Sequence, residues 1–182
     1  MNTKATTPSP TNWYAIHTKP RAEKKVFERL TSNGFNVYLP LVTRISTWSD
    51  RKKKTITPLI SSYVFININK DELYDTLQIQ GTTGILKYLR KPAIIRDYEI
   101  ENLKILTNET GQISKLNDDI VEQGEEIEVI KGSFKGLTGQ SVRILGKHRV
   151  IIEIKALGCR MTVTIPMSFV KKRILFDTKI NF

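Results

Sequence analysis

The spacing of hydrophobic positions changes several times along the chain, and each change marks an element. Trp13-Tyr14-Ala15-Ile16-His17-Thr18 has the aromatic and β-branched content of a strand. Pro20 then stands where a helix can start, because the first helical turn does not need its missing N–H. Ala22, Val26 and Leu30 recur at every fourth residue, Phe27 widens the stripe, and Asn33-Gly34 supplies a stop. The pattern predicts an amphipathic helix of about three turns. Its opposite face carries Arg21, Lys24, Lys25 and Arg29.

From Phe35 the pattern turns to short β-type runs: Val37 to Val42, Thr55 to Ile60 and Tyr63 to Ile68, with a polar turn from Ser46 to Lys54 between the first two. Pro40 and Pro58 offer no ladder N–H, so those strands are expected to be edge-like or bulged there. Asn69-x-x-Glu72 resembles a capping box opening a short helix through Leu77, and Gly84 to Leu89 returns to strand. Asp97 can cap a further helix with Ile100, Leu103 and Leu106 on one side. Strands interleaved with helices and joined by short connections predict an α+β domain over residues 13–110.

Residues 111–122 show no period and are expected to be a linker. Beyond them the texture is all β. Glu126 to Ile130 and Ser141 to Leu145 alternate strictly, and Val150 to Ile154 and Met161 to Ile165 are rich in β-branched residues. Four or five strands in about 45 residues predict a small β-barrel over 123–173. The polar residues 1–12, with their Thr and Pro, and the last stretch, 174–182, are expected to be tails.

Composition narrows the partners. Of 182 residues, 29 are basic and 18 acidic, and the excess of +11 is uneven: +8 over residues 1–55, +1 over 56–70, −7 over 71–130 and +9 over 131–182. Two basic blocks around an acidic middle suit a polyanion such as nucleic acid, although net charge by itself sets solubility rather than function. The single cysteine, Cys159, excludes an intrachain disulfide. No apolar run nears the roughly 20 residues of a membrane span, so a cytoplasmic protein with no membrane partner is expected.

Enzyme signatures are missing. Gly132-Ser133-Phe134-Lys135-Gly136-Leu137-Thr138-Gly139 lacks the Gly-Lys-Ser/Thr of a phosphate loop and precedes a strand, not a helix. Its glycines instead suit positive-φ turns and a close backbone approach. His17 and His148 have no nucleophile in a recognisable context, and no metal-ligand spacing or paired carboxylates appear, so neither catalysis nor a cofactor is expected. Two features point to binding instead. Arg44 with Arg51-Lys52-Lys53-Lys54, and Trp48 among them, would place charge and a stacking face on a hairpin tip. Tyr63 and Phe65 share one strand face beside Leu59 and Ile60, as either core or a partner groove.

The order of these motifs resembles the NusG family of transcription elongation factors. Trp13 to Val26 is similar to the W-Y-x-x-x-x-x-P/x-R/G-x-E-x-x-V opening of that family's N-terminal (NGN) domain, and Pro58 to Ile66 to its P-L-F-P-G-Y-V-F-V strand, with Ser61-Ser62 in place of Pro-Gly and Ile60 in place of Phe. Glu125 to Gly139 resembles the KOW motif, G-x-F-x-G-x-x-G, through Gly132, Phe134, Gly136 and Gly139. Trp48 to Lys53 and Lys91 to Asp97 look like the specialised RfaH and UpxY antiterminators.

The resemblance implies an NGN domain, an antiparallel-rich sheet with flanking helices, joined to an SH3-like KOW barrel in a non-enzymatic, monomeric factor. The family binds RNA polymerase, bridging the largest subunit's clamp helices to the second-largest subunit and so disfavouring paused states. The implied polymerase patch is His17, Ile60, Tyr63, Phe65 and Ile94, with Asp75, Thr76 and Leu77 facing the second-largest subunit. Lys19, Arg21, Thr82 and Thr83 lie near the family's surface for non-template DNA, and Lys24, Lys25, Arg44 and Arg51 to Lys54 extend the basic surface toward DNA or nascent RNA. The barrel's partner in relatives is termination factor Rho or a small-subunit ribosomal protein. An RNA-binding protein of the ribosome, where KOW motifs also occur, is the alternative.

Overall fold

The computed structural model describes residues 10–48, 51–108, 113–115, 124–144 and 147–173. The chain forms two compact units, residues 1–97 and 98–182.

The first unit is built on β1 (Thr11–Thr18), which runs antiparallel to its neighbours at the centre of a sheet. Helix α1 (Glu23–Ser32) follows, then β2 (Asn36–Tyr38), β3 (Leu41–Trp48), β4 (Arg51–Pro58), β5 (Tyr63–Asn69), β6 (Thr82–Ile85), β7 (Lys87–Tyr88), β8 (Lys91–Pro92) and β9 (Ile94–Ile95). The sheet order is β2-β5-β1-β6, and β9 also pairs with β1. Tyr14 and Ile16 of β1 and Val64, Ile66 and Ile68 of β5 point to one face, where they meet Val26 and Leu30 of α1. Alternation in the strands and the fourth-residue spacing in the helix thus serve one core. Gly34, at φ 83°, ends α1 in the left-handed conformation, and the Phe35 N–H returns to Leu30 O at 3.1 Å.

Several boundaries differ from the sequence reading. β1 begins at Thr11, inside the expected tail, because Thr11 and Asn12 pair with Asn69 and Ile68. Helix α1 begins at Glu23, not Pro20, since Arg21 takes φ 63° and breaks the helical path. The expected polar turn from Ser46 to Lys54 is instead the far half of a long hairpin, paired from Leu41↔Pro58 to Trp48↔Arg51. β3 and β4 pair only with each other, outside the main sheet, and their polar far half carries no hydrophobic alternation to mark it as strand. The expected capping-box helix is a 3-10 turn, Leu73–Gln78, with no side-chain cap on its N-cap residue; Asn69 Oδ1 accepts the Asp71 N–H at 3.2 Å. The expected Gly84–Leu89 strand is broken into β6 and the β7–β8 hairpin.

The second unit contains α2 (Asp97–Asn108, from Tyr98 onward), β10 (Ser114–Lys115), β11 (Glu126–Val129), β12 (Thr138–Ile144), β13 (Lys147–Ile154), β14 (Cys159–Thr164) and β15 (Val170–Lys172). Its six strands form one antiparallel sheet in the order β10-β14-β13-β12-β11-β15. The expected β texture is therefore present. Two assignments change. Helix α2, expected in the first domain, is compact with the second unit: the Asn102 side chain donates to Thr138 O at 2.8 Å and accepts the Thr138 N–H at 3.0 Å, and Glu99 Oε1 accepts the Lys155 N–H at 2.9 Å. Part of the expected linker is strand β10, paired to Met161 and Thr162. The rest of that linker, residues 1–9 and residues 174–182 lie outside the described residues.

Candidate functional site

The sheet of the first unit has a second face. Trp13, Ala15 and His17 alternate with the core residues of β1, and the register sets Phe65 opposite Ala15 and Tyr63 opposite His17. The His17 and Tyr63 rings meet edge to face, with centroids 5.0 Å apart and planes at 85°. Thr83 Oγ1 lies 2.6 Å from His17 Nδ1 and 3.1 Å from His17 O, which ties β6 to the ring. His17 and Thr83 are exposed and Tyr63 is half-buried.

Other residues of the expected polymerase patch are placed differently. Phe65 is fully buried, its ring 6.4 Å from Tyr38, and Ile60 is buried too, so both serve packing. Ile94 is exposed, but its register partner is Tyr14, so it belongs to the α1 side of the sheet; Ile95, opposite Trp13, takes the His17 side. Two-residue strands are too short for their face to be read from alternation. In the 3-10 turn, Asp75 and Leu77 are exposed, whereas Thr76 is buried and its hydroxyl donates to Leu73 O at 2.6 Å.

The expected nucleic-acid residues divide into groups. Arg21, Lys24 and Lys25, around the start of α1, converge with Arg44 of β3 on a cavity of about 580 Å³. Glu23, Thr57, Ser61 and Ser62 complete much of its lining, and sequence reasoning had singled out none of these for binding. The one signal was the Ser61-Ser62 pair where the family pattern has Pro-Gly. Lys19 is held by its backbone to Gly81 O at 2.9 Å, and Thr82 is turned to the carbonyl of Ile79 at 2.7 Å. Lys54 is exposed, and the side chains of Arg51, Lys52, Lys53 and Trp48 lie outside the described residues. Among the described residues no His, Cys, Asp and Glu group suits a metal, and no helix is long and apolar enough to cross a membrane.

In the second unit Gly132 and Gly136 take φ of 79° and 90° in the loop between β11 and β12. A Cβ on Gly132 would lie 2.9 Å from the Phe169 ring, and one on Gly139 would lie 2.2 Å from Ile151 O. Phe134 is half-buried in the same loop. The glycines thus provide the turns and the close approach that their spacing suggested.

The family model described as transcription termination factor NusG matches residues 11–104, more than half of the chain. The chain belongs to the NusG family. No curated protein matches it. Among solved structures, one titled "Domain interaction in Thermotoga maritima NusG" is similar at 20% identity and a TM-score of 0.47, covering 90% of this chain and 98% of that one. Two conformations of an MjSpt4:Spt5 complex are similar at 20% and 22% identity, with TM-scores of 0.31 and 0.32, each covering 88% of this chain and 97% and 95% of theirs.

The NusG match spans every described strand and helix of the α+β unit and runs on through the first two turns of α2, across the division at residues 97 and 98. The fold is thus an NGN-like α+β domain followed by a β-rich region consistent with a KOW domain. Within the NusG pattern this chain departs at Ser62, which adopts φ 64° at the place where the family's Gly would sit freely.

Proposed function

We propose that this protein is a non-enzymatic, cytoplasmic transcription elongation and antitermination factor of the specialised RfaH and UpxY type. It binds RNA polymerase through its first unit, bridging the clamp helices of the largest subunit to the second-largest subunit, and so suppresses pausing or termination on particular operons. The observation that carries this reading is the NusG family match over residues 11–104, which covers every element of the sheet bearing His17 and Tyr63. Holding the clamp closed needs no chemistry, only tighter binding to the closed state than to the open one. The accessible contacts on this reading are His17 and Tyr63, with Asp75 and Leu77 toward the second-largest subunit and Thr83, beside His17, toward non-template DNA. The basic residues face non-template DNA or nascent RNA.

Capture of partners by the tagged full-length protein tests it. Polymerase subunits retained by the wild type and reduced by Tyr63→Ala support the proposal. Ribosomal particles retained without polymerase would replace it with a ribosomal RNA-binding role.

A further inference from the structure

We propose that Thr83 is a positioning residue that holds His17 in its Nδ1–H tautomer, so that the Nε2 lone pair of His17 accepts a hydrogen bond from an N–H or O–H group of the docking partner. This rests on the polymerase reading above and deepens it, from a ring on a sheet face to the atom of that ring that is used.

The tautomer follows from where the single hydroxyl proton of Thr83 can go. Thr83 Oγ1 lies 3.1 Å from His17 O, and a carbonyl only accepts, so the hydroxyl donates there. The same oxygen lies 2.6 Å from His17 Nδ1 and has only lone pairs left to offer it. Nδ1 therefore carries the proton. The opposite tautomer would set two acceptors against each other at one of these two contacts. A neutral imidazole has one N–H, which leaves Nε2 as an acceptor, and Nε2 has no hydrogen-bond partner among the described residues. Docking that covers the exposed ring strips water from that nitrogen, so the partner must supply a donor or lose the cost of an unpaired polar atom.

The backbone is arranged for this contact. His17 pairs with Gly84 and the next residue, Thr18, pairs with Thr82, so Thr83 is the extra residue of a bulge in β6. In an unbroken strand Thr83, as the neighbour of Gly84, would turn to the face away from His17; the bulge re-aims it onto the imidazole. From β5 the Tyr63 ring meets the imidazole edge to face, with centroids 5.0 Å apart. A ring held by a hydroxyl and a second ring has little freedom left to lose on docking. Gly84, the register partner of His17, has nothing within 4 Å of where a Cβ would stand, which leaves room beside the imidazole on that side.

Heteronuclear NMR of the full-length protein, labelled at the histidine nitrogens, reads the tautomer directly. With two histidines in the chain, His17→Gln assigns the signals. At about pH 8.5, above the usual titration range of imidazole, the wild type is expected to show a protonated Nδ1 and an unprotonated Nε2 at His17. Thr83→Val keeps the β-branched shape at an exposed position but removes the hydroxyl. It is expected to release the ring into a mixture of tautomers and to bind core RNA polymerase about three- to tenfold more weakly. Thr83→Ser, which restores the hydroxyl, should return both readouts to wild type. His17→Gln, whose amide oxygen can stand in for the Nε2 lone pair, should bind polymerase more tightly than His17→Ala. An unprotonated Nδ1 in the wild type would overturn the tautomer, and Thr83→Val binding polymerase like wild type would overturn the acceptor role while the docking reading stands. A wild type that does not bind polymerase overturns the docking reading and the acceptor role with it, and the spectrum of the free protein decides the tautomer by itself.

Discussion

His17 and Tyr63 sit directly opposite each other on β1 and β5, with their rings edge to face at 5.0 Å, and Thr83 holds the imidazole from the neighbouring strand. This pair is an accessible part of a sheet face on which Trp13, Ala15, Phe65 and Ile95 are buried. An edge-to-face pair contributes about 0.5–1.5 kcal/mol beyond its area. A double-mutant cycle of His17→Ala and Tyr63→Ala should show coupling toward the lower end of that range in urea unfolding, since His17 is exposed. Strictly additive losses would show that the ring contact contributes nothing to stability.

Phe65→Ala is expected to act on the fold first. Removing a fully buried phenyl group leaves a cavity and costs about 3–5 kcal/mol, so the variant should unfold at markedly lower urea with an unchanged slope. A variant as stable as wild type would mean that the site collapses or that Phe65 packs only loosely.

Gly81 and Gly84 make a matched test of close approach. A Cβ on Gly81, at φ 103°, would lie 2.8 Å from Val26 Cγ2, whereas one on Gly84 meets nothing within 4 Å. Gly81→Ala should cost about 1–3 kcal/mol by strain and overpacking, and Gly84→Ala under about 1 kcal/mol, both read from thermal unfolding. Equal effects would contradict this packing of α1 on the turn before β6.

The place of α2 is tested through Asn102. Its side chain satisfies both the N–H and the C=O of Thr138, so Asn102→Leu should orphan these groups and destabilise the second unit by about 1–3 kcal/mol. Hydrogen exchange at Thr138 should accelerate correspondingly. Unaltered protection of that amide would argue that α2 is not an integral part of the unit.

Much of this protein was written in its sequence because local rules and tertiary packing agreed. The stripe Ala22, Val26, Leu30 gives α1, the alternation in Glu126–Val129 gives β11, and the spacing of Gly132, Gly136 and Gly139 gives a loop and a close approach that side chains would block. Of these, the α1 stripe lies within residues 11–104, where the NusG family model matches. What only the tertiary structure decided depends on partners distant in the chain. Asn102 finds Thr138 across 36 residues, a contact no helical period encodes, and it draws α2 to the second unit. Register against Tyr14 and Trp13, not composition, sends Ile94 and Ile95 to opposite faces of the sheet. Phe65 and Tyr63 share a face by simple alternation, yet one is buried and the other half-exposed, because burial is set by what else the fold lays against that face. Ser62 lines a cavity only because β1 and α1 hold its backbone from two sides in a conformation that its own preferences disfavour.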